Sequence, residues 1–271
     1  MNPILNIAIR AIRIGGKIIT QNYDSKDIAY NSEKKKNLYY IKKIKEKIFS
    51  TIYSIIYQSY PEHTIINVYS KKIIILNTIQ WLINPLNGTT NFIKKIPHFC
   101  LSILIKEKNQ PYISVIYDPI KNDLFTAVKG QGAQLNGIRT RCCEYNNSLH
   151  NKIAALYFQE INKNNMYLYM ILIQYLLKEQ ISLRKTGCSI LDLAYLSSGK
   201  INIYIGFNEK YLHIIFGELH IRESGALITD FVGGHDYIAS KLLLVGQANI
   251  LRYILKKTRT LSDEYLKKIS K

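Results

Sequence analysis

The chain has 271 residues, enough for one large domain or two small ones, and 47% of them are hydrophobic, enough to bury a sizeable core. No apolar stretch approaches the roughly 18 residues that a membrane-spanning helix needs. The four cysteines (Cys100, Cys142, Cys143 and Cys188) lack metal-ligand spacing, which argues against a zinc-finger module or a disulfide scaffold. The balance of 37 basic against 19 acidic residues gives a net charge of +18. Two readings of that excess stand side by side. One is a polyanionic partner such as RNA. The other is codon composition, because the chain is heavy in Ile, Lys, Asn and Tyr, the residues of AT-rich codons.

Apolar side chains at helical spacing (Leu5, Ala8, Ile9, Ile12, Ile18, Ile19) predict a first helix over residues 4–23, weakened in its middle by Gly15 and Gly16. This start is an amphipathic pattern and not a charged run followed by an apolar one, so no export signal is expected, and a cytoplasmic location with free thiols follows. Residues 24–37 are polar and read as a loop. A second helix is expected over 39–60, with Ile41, Ile44, Ile48, Ile52 and Ile55 on one face. Short strand patterns follow at 64–69, 73–76, 80–83, 101–105, 113–117 and 124–128. Turn residues at Asp118-Pro119 and Asn122-Asp123 join the last two, so an antiparallel sheet is expected. Residues 142–150 form a polar joint and a candidate sub-domain boundary. Beyond it the pattern alternates: strand 153–158, helix 166–178, helix 191–198 ended by Gly199, strand 201–205, helix 216–224, strands 227–231 and 242–245. A last helix covers 248–269, with a break near Thr260. The fold class expected is α/β with layered sheets, in one domain with sub-parts at 1–141 and 142–271.

One stretch organises the rest: Trp81-Leu-Ile-Asn-Pro-Leu-Asn-Gly-Thr-Thr-Asn-Phe92. It reads as a buried strand end (Leu82, Ile83), a tight turn from Pro85 to Gly88, and a helix start with Asn87 as N-cap and Thr89 and Thr90 in the first turn. Such a joint aims free backbone N–H groups at one spot, so Leu86, Asn87, Gly88 and Thr89 are candidate phosphate contacts. Many strand–turn–helix joints of this shape bind nothing.

The stretch resembles the signature of the inositol monophosphatase family, with Asn84 and Asn87 at two Asp positions. Further matching segments follow in family order: Ile96-Pro-His-Phe99, Val115-Ile-Tyr-Asp-Pro119, Leu124-Phe-Thr-Ala127 and Gly130-Gln-Gly-Ala-Gln-Leu-Asn-Gly137. Arg184-Lys-Thr-Gly187, Leu191-Asp-Leu-Ala-Tyr195, Gly217-Glu-Leu219 and Arg222-Glu-Ser-Gly-Ala-Leu-Ile-Thr-Asp-Phe231 continue the series. The resemblance covers essentially the whole chain and implies a layered αβαβα sugar-phosphatase fold. It also implies a Mg2+-dependent phosphate monoesterase, in which carboxylates hold a metal pair that activates water.

Those carboxylates are missing at the positions the resemblance assigns to them. Val68 and Tyr69 stand where two Glu are expected, Asn84 and Asn87 where two Asp are, and Leu212 and His213 where a Trp-Asp pair is. Ile41 and Ile44 replace a Thr and an Asp on the second helix, and Gly206 a substrate-contacting Glu. Only the backbone carbonyl of Leu86 has no side-chain requirement. From His63 through Lys106 there is no Asp or Glu at all, so no neighbour in sequence substitutes. Glu209 is the close candidate near His213. Asp118, Asp123, Asp192 and Asp230 read as turn or core residues. No catalytic residue, metal ligand or cofactor is therefore expected.

The expected function is that of a catalytically degenerate member acting through protein contacts. The likeness is strongest to the bacterial branch that doubles as a Nus-type transcription factor. That branch implies NusA and the RNA polymerase elongation complex as partners, a role in ribosomal RNA antitermination and maturation, contact with rRNA, a homodimer and no membrane. The alternative is a surviving Mg2+-dependent sugar-phosphate phosphatase, inositol-1-phosphate included, with a metal site rebuilt near Glu209 and His213. A decayed protein without function is a third reading.

Overall fold

A computed structural model describes residues 2–25, 34–69, 79–142, 152–158 and 163–257. Helix α1 (Pro3–Asp24) starts where Asn2 caps it, its side-chain oxygen accepting from the Ile4 and Leu5 N–H groups at 3.0 and 3.4 Å. Gly15 and Gly16 do not weaken this helix; they let it approach the sheet. A Cβ on Gly16 would lie 2.4 Å from Cε1 of Tyr117. Helix α2 (Lys34–Ser59) begins earlier than its polar N-terminal end suggests, inside the stretch expected to be loop. It buries Ile41, Ile44, Ile48, Ile52 and Ile56.

Helices α1 and α2 pack together on one face of a seven-stranded sheet. Its strands lie in chain order: β1 (Thr64–Asn67), β2 (Gln80–Asn87), β3 (Cys100–Glu107), β4 (Gln110–Asp118), β5 (Asp123–Val128), β6 (Gly132–Leu135) and β7 (Ile138–Thr140). The expected antiparallel pairing holds from β2 to β7, whereas β1 runs parallel to β2. The strand expected over 73–76 lies outside the described residues. The glycine-punctuated stretch at 130–137 builds the β5–β6–β7 turns, which apolar alternation did not reveal.

The second sheet has the order β11 (Leu227–Thr229), β12 (Leu242–Gly246), β10 (Ile203–Phe207), β8 (Ile153–Phe158), β9 (Ser182–Arg184), and is mixed. Between the sheets lie α5 (Ser189–Ser197) and α6 (Tyr211–Glu223). The outer face of the second sheet carries α4 (Lys163–Lys178) and the last helix, α8, helical from 248 to the end of the described residues at 257. Two short helices, α3 (Thr89–Ile93) and α7 (Tyr237–Ser240), complete the chain. The layers are thus α1/α2, sheet, α5/α6, sheet, α4/α8.

Burial on both faces explains the unbroken apolar strands. In β3, Leu101, Ile103 and Ile105 face α1 and α2, while Cys100 and Leu104 face α5 and α6. In β10, Ile203, Ile205 and Phe207 face α4 and α8, and Tyr204 faces α5 and α6. Helix α6 starts at Tyr211, five residues before the apolar periodicity suggests, which places Leu212 and His213 in its first turn. No helix among the described residues is long and apolar enough to cross a membrane.

Candidate functional site: the signature strand and its neighbours

The organising stretch does not turn at Pro85. Strand β2 runs through to Asn87 with a bulge between Asn84 and Asn87, and the chain turns at Gly88, which has φ +82°. Gly88, not Asn87, is the N-cap of the five-residue α3. A side chain at Gly88 would also collide with the His98 carbonyl and with Phe99, both at 3.0 Å. Asn87 is thereby freed from capping. Its carbonyl oxygen accepts from the Cys188 thiol at 3.0 Å, and Cys188 lies 3.7 Å from Cys100, sulfur to sulfur. Burial holds the Cys100 thiol well above its ordinary pKa. Gly88 and Thr89 sit together at the partly exposed start of α3.

Tyr69 explains the other asparagine. It follows β1 in a turn whose Asn67 side chain accepts the Tyr69 N–H at 3.0 Å. Its ring is half exposed, but its hydroxyl points inward, 3.1 Å from Asn84 Oδ1 and 3.2 Å from the Leu86 carbonyl oxygen. These two oxygens come from positions where the resemblance implies metal ligands, and the tyrosine proton now serves them. Burial raises the Tyr69 hydroxyl to about 12, with the neighbouring Cys100 and Cys188 adding to the rise, so it remains a donor at neutral pH. Over the ring, 4.0 Å from its centre, lies Lys45 Nζ. Burial lowers this lysine to about 8. It stays largely cationic at pH 7, beside the tyrosine whose hydroxyl serves these two oxygens.

The remaining positions are hydrocarbon or occupied. Val68 and Leu212 belong to one apolar cluster with Leu82, Ile215 and Phe216, and both wall a cleft of about 550 Å³. Ile41 and Ile44 are core residues of α2, and Gly206 lies in the middle of β10. Glu209 is 2% exposed; its carboxylate accepts from the Tyr204 hydroxyl and meets His213 Nδ1 at 2.8 Å. Glu218 at the cleft rim is held by Arg222 and Tyr237. Among the described residues no group of three His, Cys, Asp or Glu side chains converges. Mg2+ demands several hard, charged oxygen ligands in near-octahedral array. Two neutral oxygens already bonded to the Tyr69 hydroxyl, the hydrocarbon side chains of Val68 and Leu212, and a lysine over the Tyr69 ring do not fit it.

The better-kept motifs do structural work. Asn91 of the signature donates to the carbonyls of His98 and Thr186, both at 2.7 Å. Asp192 is 1% exposed; it meets His98 Nε2 at 2.9 Å and accepts from the Thr186 hydroxyl. Two segments distant in sequence, 91–98 and 186–192, are stitched at one point. Asp118 caps its turn through the Ile120 and Lys121 N–H groups, and Asp230 accepts from Val232, Gly234 and Asp236. Asp123 pairs with Lys200 at 2.6 Å. Sequence reasoning missed the reach of the Tyr69 hydroxyl, the inward place of Lys45 and the Cys100–Cys188 contact. Lys45 is hidden in a run of lysines that reads as surface.

Comparison with known proteins agrees with this architecture. The family model of the inositol monophosphatase family matches residues 1–264. A relative from Buchnera aphidicola subsp. Baizongia pistaciae, named Nus factor SuhB, is 44% identical over 98% of this chain and all of its own length. The Nus factor SuhB of Escherichia coli is 36% identical over 99% of this chain and all of its own. The solved extragenic suppressor protein suhB of Bartonella henselae superposes with a TM-score of 0.79 at 25% identity, covering 95% of this chain and all of that one. An Anabaena inositol monophosphatase shares the fold, with a TM-score of 0.76 at 23% identity over 96% of this chain and 95% of that one. The chain belongs to the inositol monophosphatase family.

Proposed function

We propose that this chain is a non-catalytic member of its family that works as a Nus-type factor. It binds NusA and the RNA polymerase elongation complex and supports ribosomal RNA antitermination and maturation as a cytoplasmic homodimer. One observation carries the loss of catalysis: the Tyr69 hydroxyl between Asn84 Oδ1 and the Leu86 carbonyl, with Lys45 above the ring. The site has lost its carboxylates and has also been repacked with a donor that satisfies what remains. Hydrolysis of a phosphate monoester without metal or carboxylate would lack both the charge stabilisation and the activated water that supply most of the rate. The scaffold is kept, down to the Asn91, His98, Thr186 and Asp192 network. That supports a role for the surface, and the names carried by the similar relatives favour the transcription machinery as its target.

The test is direct binding of the purified chain to immobilised NusA. Saturable binding is expected. Absence of binding by protein that is folded by circular dichroism overturns the reading. The rebuilt-site alternative gains nothing from the structure, because Glu209 is committed to Tyr204 and His213.

A further inference from the structure

Helix α2 carries a stripe that its packing does not explain. Tyr39, Lys43, Glu46, Ser50, Tyr53 and Tyr57 recur at steps of three and four residues, opposite the buried Ile41, Ile44, Ile48, Ile52 and Ile56. The three tyrosines are 62%, 39% and 49% exposed. Tyr53 and Tyr57 stack face to face, with centroids 5.7 Å apart and planes 11° apart, and Phe49 extends the ladder at 6.0 Å from Tyr53. Lys43 Nζ lies 4.6 Å over the Tyr39 ring. The lone acid of the stripe, Glu46, is paired with Lys42 at 3.9 Å, so it does not offset Lys43 and Lys47. Across the described side chains of α1 and α2, Asp24 and Glu46 are the only acids, while Arg10, Lys17, Lys42, Lys43 and Lys47 are exposed cations.

From Tyr39 to Tyr57 the stripe is about 27 Å long. Aromatic faces along a cationic track are the two elements that hold single-stranded nucleic acid: bases stack on the rings and lysines meet the phosphates. A duplex would not use the rings, because its base faces are covered. The stripe has no aliphatic side chain, so a packed protein helix would find little to bury against it. We propose that the outer face of α2 is a platform for single-stranded RNA, with Tyr53 and Tyr57 as stacking residues and Lys43 and Lys47 as phosphate contacts. The choice of RNA over DNA rests on the Nus-factor reading; the stripe itself does not.

The test is fluorescence anisotropy of a labelled dodecauridine, titrated with the full chain at several salt concentrations. Wild type is expected to bind, with affinity falling linearly with salt on logarithmic axes. The double variant Tyr53→Ala/Tyr57→Ala is expected to weaken binding about 10-fold or more, and Tyr53→Phe/Tyr57→Phe to keep it. Lys43→Gln/Lys47→Gln is expected to flatten the salt slope by about 1.4, roughly 0.7 per lost contact. A control removing two charges elsewhere, Lys129→Gln/Lys257→Gln, is expected to leave the slope alone. Four results overturn the proposal: no wild-type binding, Tyr-to-Ala affinity within twofold of wild type, an equal slope change in the control, or loss of NusA binding rather than RNA binding in the Ala variant. NusA binding measured in parallel separates the two readings, since intact NusA binding with unaltered RNA affinity strikes the stripe and leaves the proposed function standing.

Discussion

Replacing Tyr69 with Phe removes one oxygen atom and tests the role given to its hydroxyl. The ring is half exposed, so its apolar contribution barely changes. What is lost is the single proton shared between Asn84 Oδ1 at 3.1 Å and the Leu86 carbonyl at 3.2 Å. Asn84 is 2% exposed and Leu86 0%, so water does not simply take over. A hydrogen bond contributes about 1 kcal/mol net, and an orphaned buried acceptor costs about 1–3 kcal/mol. Tyr69→Phe is therefore expected to destabilise by about 1–3 kcal/mol. The unfolding midpoint should fall by roughly 2–12 °C, at about 2–4 °C per kcal/mol for a chain of this size. Thermal and guanidinium unfolding followed by circular dichroism measure this directly. Added Mg2+ should move the midpoint of neither protein. A Tyr69→Phe protein within about 0.3 kcal/mol of wild type would refute the argument, since the hydroxyl would then not be what satisfies the two oxygens.

Other consequences follow from buried groups. His220 is fully buried, and burial lowers it to about 3; its Nε2 reaches Ser114 Oγ at 3.1 Å. The unfolded chain binds this proton from about pH 6.5 downward and the folded chain does not, so stability falls with pH below about 6.5. Between pH 7 and pH 5 the loss from this group is up to about 2 kcal/mol, and guanidinium midpoints for wild type and His220→Gln should converge as pH falls. Asp192→Asn breaks the meeting of His98, Thr186 and α5; about 2–3 kcal/mol of stability should be lost in chemical unfolding, and an unchanged midpoint would deny that network its role. Gly16→Ala would place a Cβ 2.4 Å from Tyr117 and should cost about 1–3 kcal/mol in spite of alanine's better helix propensity. A gain in stability would mean that α1 sits less tightly on β4.

Much of the layered fold is legible in the chain, and the failures have physical causes. Long periodic helices such as α1 declare themselves through Ala8, Ile12 and Ile19, and strands buried on both faces through consecutive apolar residues such as Ile103 to Ile105. Boundaries are harder. The start of α6 carries Leu212, which walls the cleft, and His213, which meets Glu209, and these contacts rather than propensity set their place. Pro85 looks like a turn residue, yet it sits in the bulge of β2, where the ladder is already interrupted and a missing N–H costs nothing. For the site, the absence of Asp and Glu from His63 through Lys106 is legible in sequence because it is a matter of residue type. How the residues present there are arranged is not. That Tyr69 turns its hydroxyl inward depends on the Asn67 turn, and the meeting of Cys188 with Asn87 depends on two segments about a hundred residues apart.

The central claim is that the residues at the expected metal positions do not hold Mg2+ and that the protein does not hydrolyse phosphate monoesters. The most direct measurement is inositol-1-phosphate hydrolysis by the purified, folded chain, with and without millimolar Mg2+. No turnover above background is predicted under either condition. Mg2+-dependent turnover that EDTA abolishes would contradict the account and would require metal ligands that Val68, Asn84, Asn87 and His213 do not supply.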